Sequence, residues 1–260
     1  MRLHRFYLNK KIEKEVHIND KELLHQWLKV FRLKASNRII IFNGGDIEYE
    51  GYFKILKKKE AVLIIDKEKK VEKNQQIELY YFCSIIKKDK FELIVEKCTE
   101  IGVSFFYPIL SERSEKKNLN IERLNKIAKE AVEQSGRIIL PKIFSPELLE
   151  KIISDFSDFN GKLFVLDFDG ASFAETFIKN INNENIQNKN ENEKTRQKIG
   201  LFIGPEGGWS DKEKKFFKQK KIQSISLGSQ ILRAETSAIV ASALILTNDY
   251  LTKYKVLCKS

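Results

Sequence analysis

The sequence predicts an α/β domain built on a mainly parallel sheet, preceded by a small β-rich domain. From residue 77 onward, short apolar runs alternate with segments of helical periodicity, which is typical of parallel β–α units. The first 72 residues instead combine β-branched and aromatic runs with the turn sequence Asn43-Gly44-Gly45-Asp46. The chain has 260 residues, 42% of them hydrophobic, which is sufficient for two modest cores.

The first domain, residues 1–72, is predicted to be a small barrel or meander with one helix. Its strands are predicted at 38–43, 47–56 and 61–66. The helix is predicted over 20–34, with Asp20 as its N-cap and apolar residues at helical spacing. The polar segment 67–76 marks the boundary, so residues 73–260 form the second domain.

The second domain is predicted to alternate buried strands with amphipathic helices. The strands are expected at 77–85, 105–110, 162–168, 199–204 and 224–228, and the first two helices at 88–102 and 121–136. Ser210 and Glu213 fit a capping box, which places a further helix start near Asp211. The apolar run 238–246 predicts a buried helix, and the polar segment 180–198 a disordered surface insertion.

Charge and cysteine content restrict the partners and the compartment. The formal net charge is +11, and residues 1–72 hold 17 Lys and Arg against 11 Asp and Glu, a net +6, which favours RNA or DNA over an acidic protein. The three cysteines (Cys83, Cys98, Cys258) are far apart and form no CxxC, which indicates a reducing cytoplasmic setting and no metal site. No signal peptide is expected, because the N-terminus MRLHRFYLNK lacks an apolar h-region, and no membrane span is expected, because the longest apolar block, residues 238–246, is well short of the roughly 20 residues required.

The glycine-rich stretch GPEGG, residues 204–208, follows a predicted buried strand and precedes the capped helix. Ligands in α/β proteins bind at such strand ends, and glycines allow a close backbone approach. Glu206 would offer a carboxylate to ribose hydroxyls or an amino group. On this stretch alone, an ordinary strand–helix connector remains an alternative. The lack of GxGxxG and of GKS or GKT disfavours a dinucleotide fingerprint and a phosphate loop.

Two further segments carry residues suited to chemistry. The stretch LGSQILRAETSA (227–238) joins a short strand to the apolar helix, and its Arg-x-Glu-Thr string is a poor choice for packing alone. The segments SERSEKK (111–117) and EAVEQSGR (130–137) supply Arg113, Glu130, Gln134 and Arg137, which either line a groove for a polyanion or lie on the solvated surface.

Together these motifs resemble the RsmE family, ribosomal RNA methyltransferases of the SPOUT superfamily. The resemblance rests on GPEGG before a capped helix and on LG-x-x-ILR-x-ET before an apolar helix. RLHRFYL, HQWLKVFRLK, KCTEIGV and EAVEQSGR occur in the expected order, so the match covers essentially the whole chain. The chief departure, segment 180–198, lies between motifs.

The resemblance implies a SPOUT-type domain with a deep trefoil knot, preceded by a PUA-like β-barrel that binds RNA. It implies a homodimer that uses S-adenosyl-L-methionine, without a metal, to methylate N3 of a uridine in 16S (small-subunit) ribosomal RNA, either naked or in the assembled subunit. The nitrogen must lose a proton, which requires a base or electrostatic stabilisation. Arg233 is expected to stabilise the uracil charge, with Glu235 or Glu206 as base or orienting group.

The remaining site residues fall into two predicted sets. The cofactor set is Leu166, Phe202, Ile203, Gly204, Glu206, Gly207, Leu227, Gly228, Ile231 and Leu232. The RNA set is Arg113, Glu130, Gln134, Arg137, Arg2, Arg5 and Arg32. Three alternatives stay open: a SPOUT enzyme acting on transfer RNA, a non-catalytic RNA-binding protein, and a nucleotide-phosphate-binding enzyme, which the missing Lys-Ser/Thr disfavours.

Overall fold

The computed structural model describes residues 3–71, 76–114, 118–176 and 196–257, the last ten of these as backbone only. The chain divides into two compact units. The first comprises residues 1–74 together with 129–140, and the second comprises 75–128 and 141–260. The boundary predicted at residue 72 did not anticipate that residues 129–140 would group with the N-terminal segment.

The first unit contains a five-stranded sheet. Its strands are β1 (Arg5–Tyr7), β2 (Glu15–Ile18), β3 (Arg38–Phe42), β4 (Ile47–Leu56) and β5 (Ala61–Lys70). They lie in the order β1-β3-β4-β5-β2, with β1 parallel to β3 and the other pairs antiparallel. The strand predicted over 61–66 continues to Lys70 because its charged end pairs with the start of β4, from Lys70 opposite Ile47 onward.

The helix of the first unit is shorter than predicted. It consists of α1 (Lys21–His25) followed by a π-helical turn, Gln26–Val30. Asp20 is the N-cap as expected, since its carboxylate accepts from the backbone N–H groups of the next turn at 2.9 and 3.1 Å. The prediction that the helix reaches residue 34 was wrong, because Arg32 adopts a positive φ of 52° that a right-handed helix excludes.

The second unit contains a seven-stranded sheet, which confirms the predicted α/β fold. Its strands are β6 (Ile77–Ser84), β7 (Phe105–Leu110), β8 (Lys142–Ile143), β9 (Glu147–Leu148), β10 (Lys162–Ser172), β11 (Gln197–Ile203) and β12 (Gln223–Ser226). The order is β12-β10-β11-β6-β7-β8, with β9 also on β7, and each pairing is parallel. Of the predicted insertion, 180–195 lies outside the described residues, and Gln197 and Lys198 already belong to β11.

The helices continue in chain order with α2 (Lys88–Ile101), α3 (Ile121–Ser135), α4 (Leu149–Asp155), α5 (Asp211–Gln219) and α6 (Ala234–Leu257). Strands β8 and β9 and helix α4 are short and were not predicted. The capping box at the start of α5 is confirmed, with the Ser210 hydroxyl and the Glu213 carboxylate each accepting the other's backbone N–H. Within the described part of the chain, no helix is both long and apolar enough to cross a membrane.

Side chains of the second sheet are buried on both faces. Successive residues of β6 alternate between two apolar clusters: Tyr81 and Cys83 belong to one that includes α6, while Tyr80 and Phe82 belong to one that includes Trp209 and α5. Burial raises the pKa of the Cys83 thiol well above its usual range and that of Cys98 to about 12, so these two thiols stay protonated. They pack as apolar residues and are not nucleophiles.

Candidate active site

Two loops and one strand bulge of the second unit surround a cavity of about 450 Å³, a size suited to a small-molecule ligand. The bulge belongs to β10, and the loops follow β11 and β12. All three lie at the carboxyl ends of neighbouring parallel strands, where α/β proteins bind ligands. The strand pattern and the glycine cluster therefore predicted the correct edge of the sheet for a pocket.

The bulge in β10 comprises residues 167–170. Leu166 and Ala171 both pair with Ile225 of β12, so the four residues between them have no partner in the register. Gly170 closes the bulge, because a Cβ at this position would lie 2.5 Å from the Ile225 carbonyl carbon. The Lys214 ammonium lies 2.7 Å from the carboxylate of Asp167 and 3.8 Å from that of the exposed Asp169, the two bulge residues on either side of Phe168.

The glycine-rich loop, residues 204–208, lies between β11 and α5. A Cβ on Gly204 would lie 3.1 Å from two atoms of the Trp209 indole, so a side chain here would displace that ring. Trp209 is buried, and its indole N–H donates to the Leu166 carbonyl at 3.0 Å. Gly208 has a φ of +67°, which favours glycine. Gly207 has no positive φ, and a Cβ at this position would make only ordinary contacts. The loop is thus fixed by Trp209, with the backbone at 207 exposed to the cavity.

The segment after β7 fixes the other side of this loop. The Glu213 carboxylate, buried at the start of α5, also accepts the backbone N–H of Glu112 at 3.0 Å. The neighbouring Arg113 lines the cavity and donates from Nη1 to the Gly207 carbonyl at 2.8 Å. The SER stretch and GPEGG, which are about 90 residues apart in sequence, therefore form one wall.

The two candidate carboxylates differ in exposure. Glu206 is exposed, lines the cavity, and accepts the backbone N–H of Lys87 at 3.3 Å. Glu235 is only 7% exposed, does not line the cavity, and lies 3.6 Å from the Lys90 ammonium. Glu206 can therefore meet a ligand directly, whereas Glu235 is placed to fix the start of α6.

Most of the predicted site residues of the second unit lie around the cavity. It is lined by Leu166, Ile203, Gly204, Glu206, Gly207, Leu227, Ile231, Leu232, Arg233 and Arg113. Gly228 and Phe202 do not line it; Phe202 is fully buried and stacks on Phe82 with ring centroids 4.5 Å apart. Among the residues with described placement, no group of three or more His, Cys, Asp or Glu is positioned to hold a metal ion.

The other predicted RNA-contacting residues belong to the first unit, apart from Arg2, which lies outside the described residues. Arg32, Glu130 and Gln134 are exposed. Arg5 is 8% exposed and is held by Glu48 and by three backbone carbonyls of the EAVEQSGR segment, those of Val132, Glu133 and Arg137. Its guanidinium therefore has a full set of partners inside the unit.

The EAVEQSGR segment also contains a buried acid that the sequence did not single out. Glu133 is 4% exposed and accepts the backbone N–H of Tyr7 at 2.9 Å. Burial raises its pKa to about 7, while that hydrogen bond and the charge of Arg5 act in the opposite direction. Burial also lowers the pKa of the Arg137 guanidinium to about 10. This motif therefore has a structural role in holding β1 within the first unit.

The cavity is also lined by residues outside the predicted cofactor and RNA sets, above all Phe168, Trp209 and Lys214. Trp209 directly follows GPEGG, so its position was a usable signal. Phe168 ends the predicted strand 162–168, whose end beside Leu166 was expected to meet the cofactor, but its projection depends on the bulge. Lys214 gave no signal, because its position depends on an ion pair with Asp167, 47 residues earlier in the chain.

A model of the RNA methyltransferase domain matches residues 72–246. A ribosomal RNA small subunit methyltransferase E of Rickettsia conorii is 30% identical over 94% of this chain and 95% of its own length. A second protein of that name, from Borreliella burgdorferi, is 31% identical over 90% of this chain and 92% of its own length.

Solved structures show the same fold. A predicted RNA methyltransferase from Thermotoga maritima is 27% identical, with a TM-score of 0.67 over 95% of this chain and 99% of its own. A ribosomal RNA small subunit methyltransferase E from Neisseria gonorrhoeae, bound to S-adenosyl methionine, has a TM-score of 0.79 at 22% identity over 95% of this chain and 98% of its own. At 22% identity, the similarity to the Neisseria gonorrhoeae structure shows a shared fold alone.

Proposed function

Because this chain belongs to the RsmE family, the ribosomal RNA small subunit methyltransferases E, we propose that it transfers a methyl group from S-adenosylmethionine to N3 of a uridine in 16S ribosomal RNA. The observation that carries the proposal is the cavity itself. The bulge of β10 and the loops after β11 and β12 surround it, and two arginines, Arg113 and Arg233, are exposed at its edge. A small cofactor and a polyanionic substrate fit that combination of a pocket and two exposed arginines.

The lining of the cavity fits the proposed cofactor. Leu166, Ile203, Leu227 and Leu232 provide apolar surface, and Gly204 and Gly207 provide backbone without side chains. Glu206 would accept hydrogen bonds from ribose hydroxyls or neutralise an amino group. When bound, S-adenosylmethionine supplies an electrophilic methyl group on a positively charged sulfur. Phe202 does not line the cavity; it is buried next to Ile203, and its ring stacks on Phe82.

The residues proposed to act on the uridine are Arg233, Glu206 and Glu235. The uracil N3 carries a proton and becomes a nucleophile only when that proton leaves. The exposed guanidinium of Arg233 would stabilise the negative charge that then spreads to O2 and O4. Of the two carboxylates proposed as base or orienting group, Glu206 lines the cavity and Glu235 does not, so Glu206 is the one placed to reach the uridine. Glu235, held by Lys90, would fix the segment that carries Arg233.

We also propose the finer features that the family resemblance implies: the trefoil knot in the second domain, a PUA-like RNA-binding barrel in residues 1–72, and a homodimer involving the apolar α6 helix. The cytoplasmic location is proposed from the scattered cysteines. Three chain segments, the bulge of β10 and the loops after β11 and β12, meet around one cavity, which supports the knot. The five-stranded sheet and the net +6 of the first 72 residues support the RNA-binding domain.

Calorimetry and methylation assays test this proposal. The protein should bind S-adenosylmethionine and methylate 16S RNA, naked or in isolated small subunits, from cells that lack it; nucleoside analysis should yield 3-methyluridine. Failure to bind the cofactor at millimolar concentration would leave a non-catalytic RNA-binding protein. Methylation of transfer RNA in preference to ribosomal RNA would show that the substrate is transfer RNA. Binding of ATP or GTP in place of S-adenosylmethionine would indicate a nucleotide-phosphate-binding enzyme.

A further inference from the structure

Phe168 is an exposed aromatic residue on the rim of the cavity. Its relative exposure is 51%, although large apolar side chains of this unit are mostly buried. Phe144, another exposed phenylalanine, stacks on Tyr107 with ring centroids 4.1 Å apart. Among the described residues, no aromatic ring packs against Phe168. The fold therefore leaves this aromatic residue half exposed beside the candidate active site.

The bulge of β10 is what projects this ring. Phe168 lies within the four residues, 167–170, that have no partner in the strand register. The Lys214 ammonium lies near the carboxylates of Asp167 and Asp169, on either side of Phe168. At Gly170 the backbone lies so close to Ile225 that a side chain would not fit. Bulges commonly re-aim a side chain next to an active site. The ion pair of Asp167 with Lys214 and the close approach of Gly170 to Ile225 therefore constrain the backbone on both sides of Phe168.

The surroundings of Phe168 indicate what would bind there. Leu166, on the same strand, is 9% exposed and lies deeper, so the inner cavity suits the cofactor and the rim suits the second substrate. Arg113 and Arg233 provide positive charge on the same rim, and Ile231, 83% exposed, adds apolar surface. A planar base on an anionic backbone matches an aromatic face beside two arginines.

We propose that Phe168 is a stacking platform for the RNA base that enters the active site. This inference rests on the proposed function, since it assumes that an RNA nucleotide approaches the cavity. An enzyme that modifies a base must take it out of its stack, and an aromatic side chain replaces part of the lost stacking. Phe168 therefore contributes to RNA affinity and positioning rather than to cofactor binding.

The test compares Phe168→Ala, Phe168→Leu and Phe168→Trp with Leu148→Ala, a matched exposed apolar residue at 54% exposure. Affinity for a 16S RNA fragment is measured by fluorescence anisotropy, KM and kcat by methylation, and cofactor affinity by calorimetry. Loss of one base–aromatic stack should raise the Kd or KM for RNA about 5- to 150-fold in the alanine variant. The leucine variant should recover little, and the tryptophan variant should resemble the wild type.

Unchanged RNA affinity and KM in Phe168→Ala would overturn the inference. So would a loss confined to S-adenosylmethionine affinity, because the ring would then belong to the cofactor site. A melting temperature equal to that of the wild type is expected for a half-exposed residue and excludes misfolding as the cause. If the wild-type protein binds RNA but does not methylate it, the proposed function fails while the anisotropy measurements still decide the role of Phe168.

Discussion

Replacing Gly204 with alanine tests how tightly the glycine-rich loop is built. The added Cβ would lie 3.1 Å from two atoms of the Trp209 ring, a few tenths of an ångström closer than an ordinary contact. Trp209 has little room to move, because it is 3% exposed, packs edge-on against Phe217 at 4.9 Å, and donates to the Leu166 carbonyl. Overpacking of this kind costs about 1–3 kcal/mol.

The expected result is a lower melting temperature together with weaker cofactor binding. At about 2–4 °C per kcal/mol for a protein of this size, Gly204→Ala should melt roughly 2–12 °C below the wild type by calorimetry. Because Trp209 and Leu166 both line the cavity, affinity for S-adenosylmethionine should fall as well.

Gly207→Ala is the matched control. Its Cβ would be 3.5 Å from the Arg113 side chain, an ordinary contact, so its melting temperature should equal that of the wild type. Wild-type melting and cofactor affinity in Gly204→Ala would refute the argument that Trp209 fixes this loop.

Three further predictions concern the buried acid, the core and the reaction. Burial raises the pKa of Glu133 from 4.5 to about 7, so protonation of this carboxyl stabilises the folded protein. The stabilisation is complete below about pH 4.5 and is lost as the pH rises through 7, which lowers the free energy of unfolding by about 3 kcal/mol. The urea midpoint of the wild type should therefore fall over this pH range, and that of Glu133→Gln should not. An equal fall in both proteins would show that other groups cause it. Tyr81→Phe should lower the free energy of unfolding by about 1–3 kcal/mol, because the buried hydroxyl of Tyr81 lies 2.6 Å from Ser242 Oγ and donates to the Ala238 carbonyl; equal stability in urea would contradict this. Arg233→Ala should reduce kcat far more than S-adenosylmethionine affinity, and equal losses in both would make Arg233 a cofactor ligand.

Local signals in the sequence located most of the second unit and its pocket. Continuous apolar runs predicted β6, β7 and β11, because buried parallel strands need apolar residues on both faces. The capping box placed the start of α5 at Asp211, since both of its hydrogen bonds join residues only three apart. The same features placed the glycine-rich loop at a strand end.

Features that depend on distant partners were not predictable. The bulge at 167–170 follows from Gly170 meeting Ile225, 55 residues further along the chain. The burial of Arg5 and Glu133 depends on residues 129–140 joining the N-terminal segment in one unit, a contact between segments more than 120 residues apart. For the same reason Arg5 was predicted to contact RNA, although its charge is neutralised inside the fold by Glu48.

Mass mapping of 16S ribosomal RNA tests the central claim most directly. RNA from cells with and without this protein is digested and compared, and the account predicts that one fragment loses a single methyl group located on a uridine base. Complementation with the wild-type gene should restore the methyl group, and complementation with the Arg233→Ala variant should not. Identical 16S maps from both strains would contradict the account.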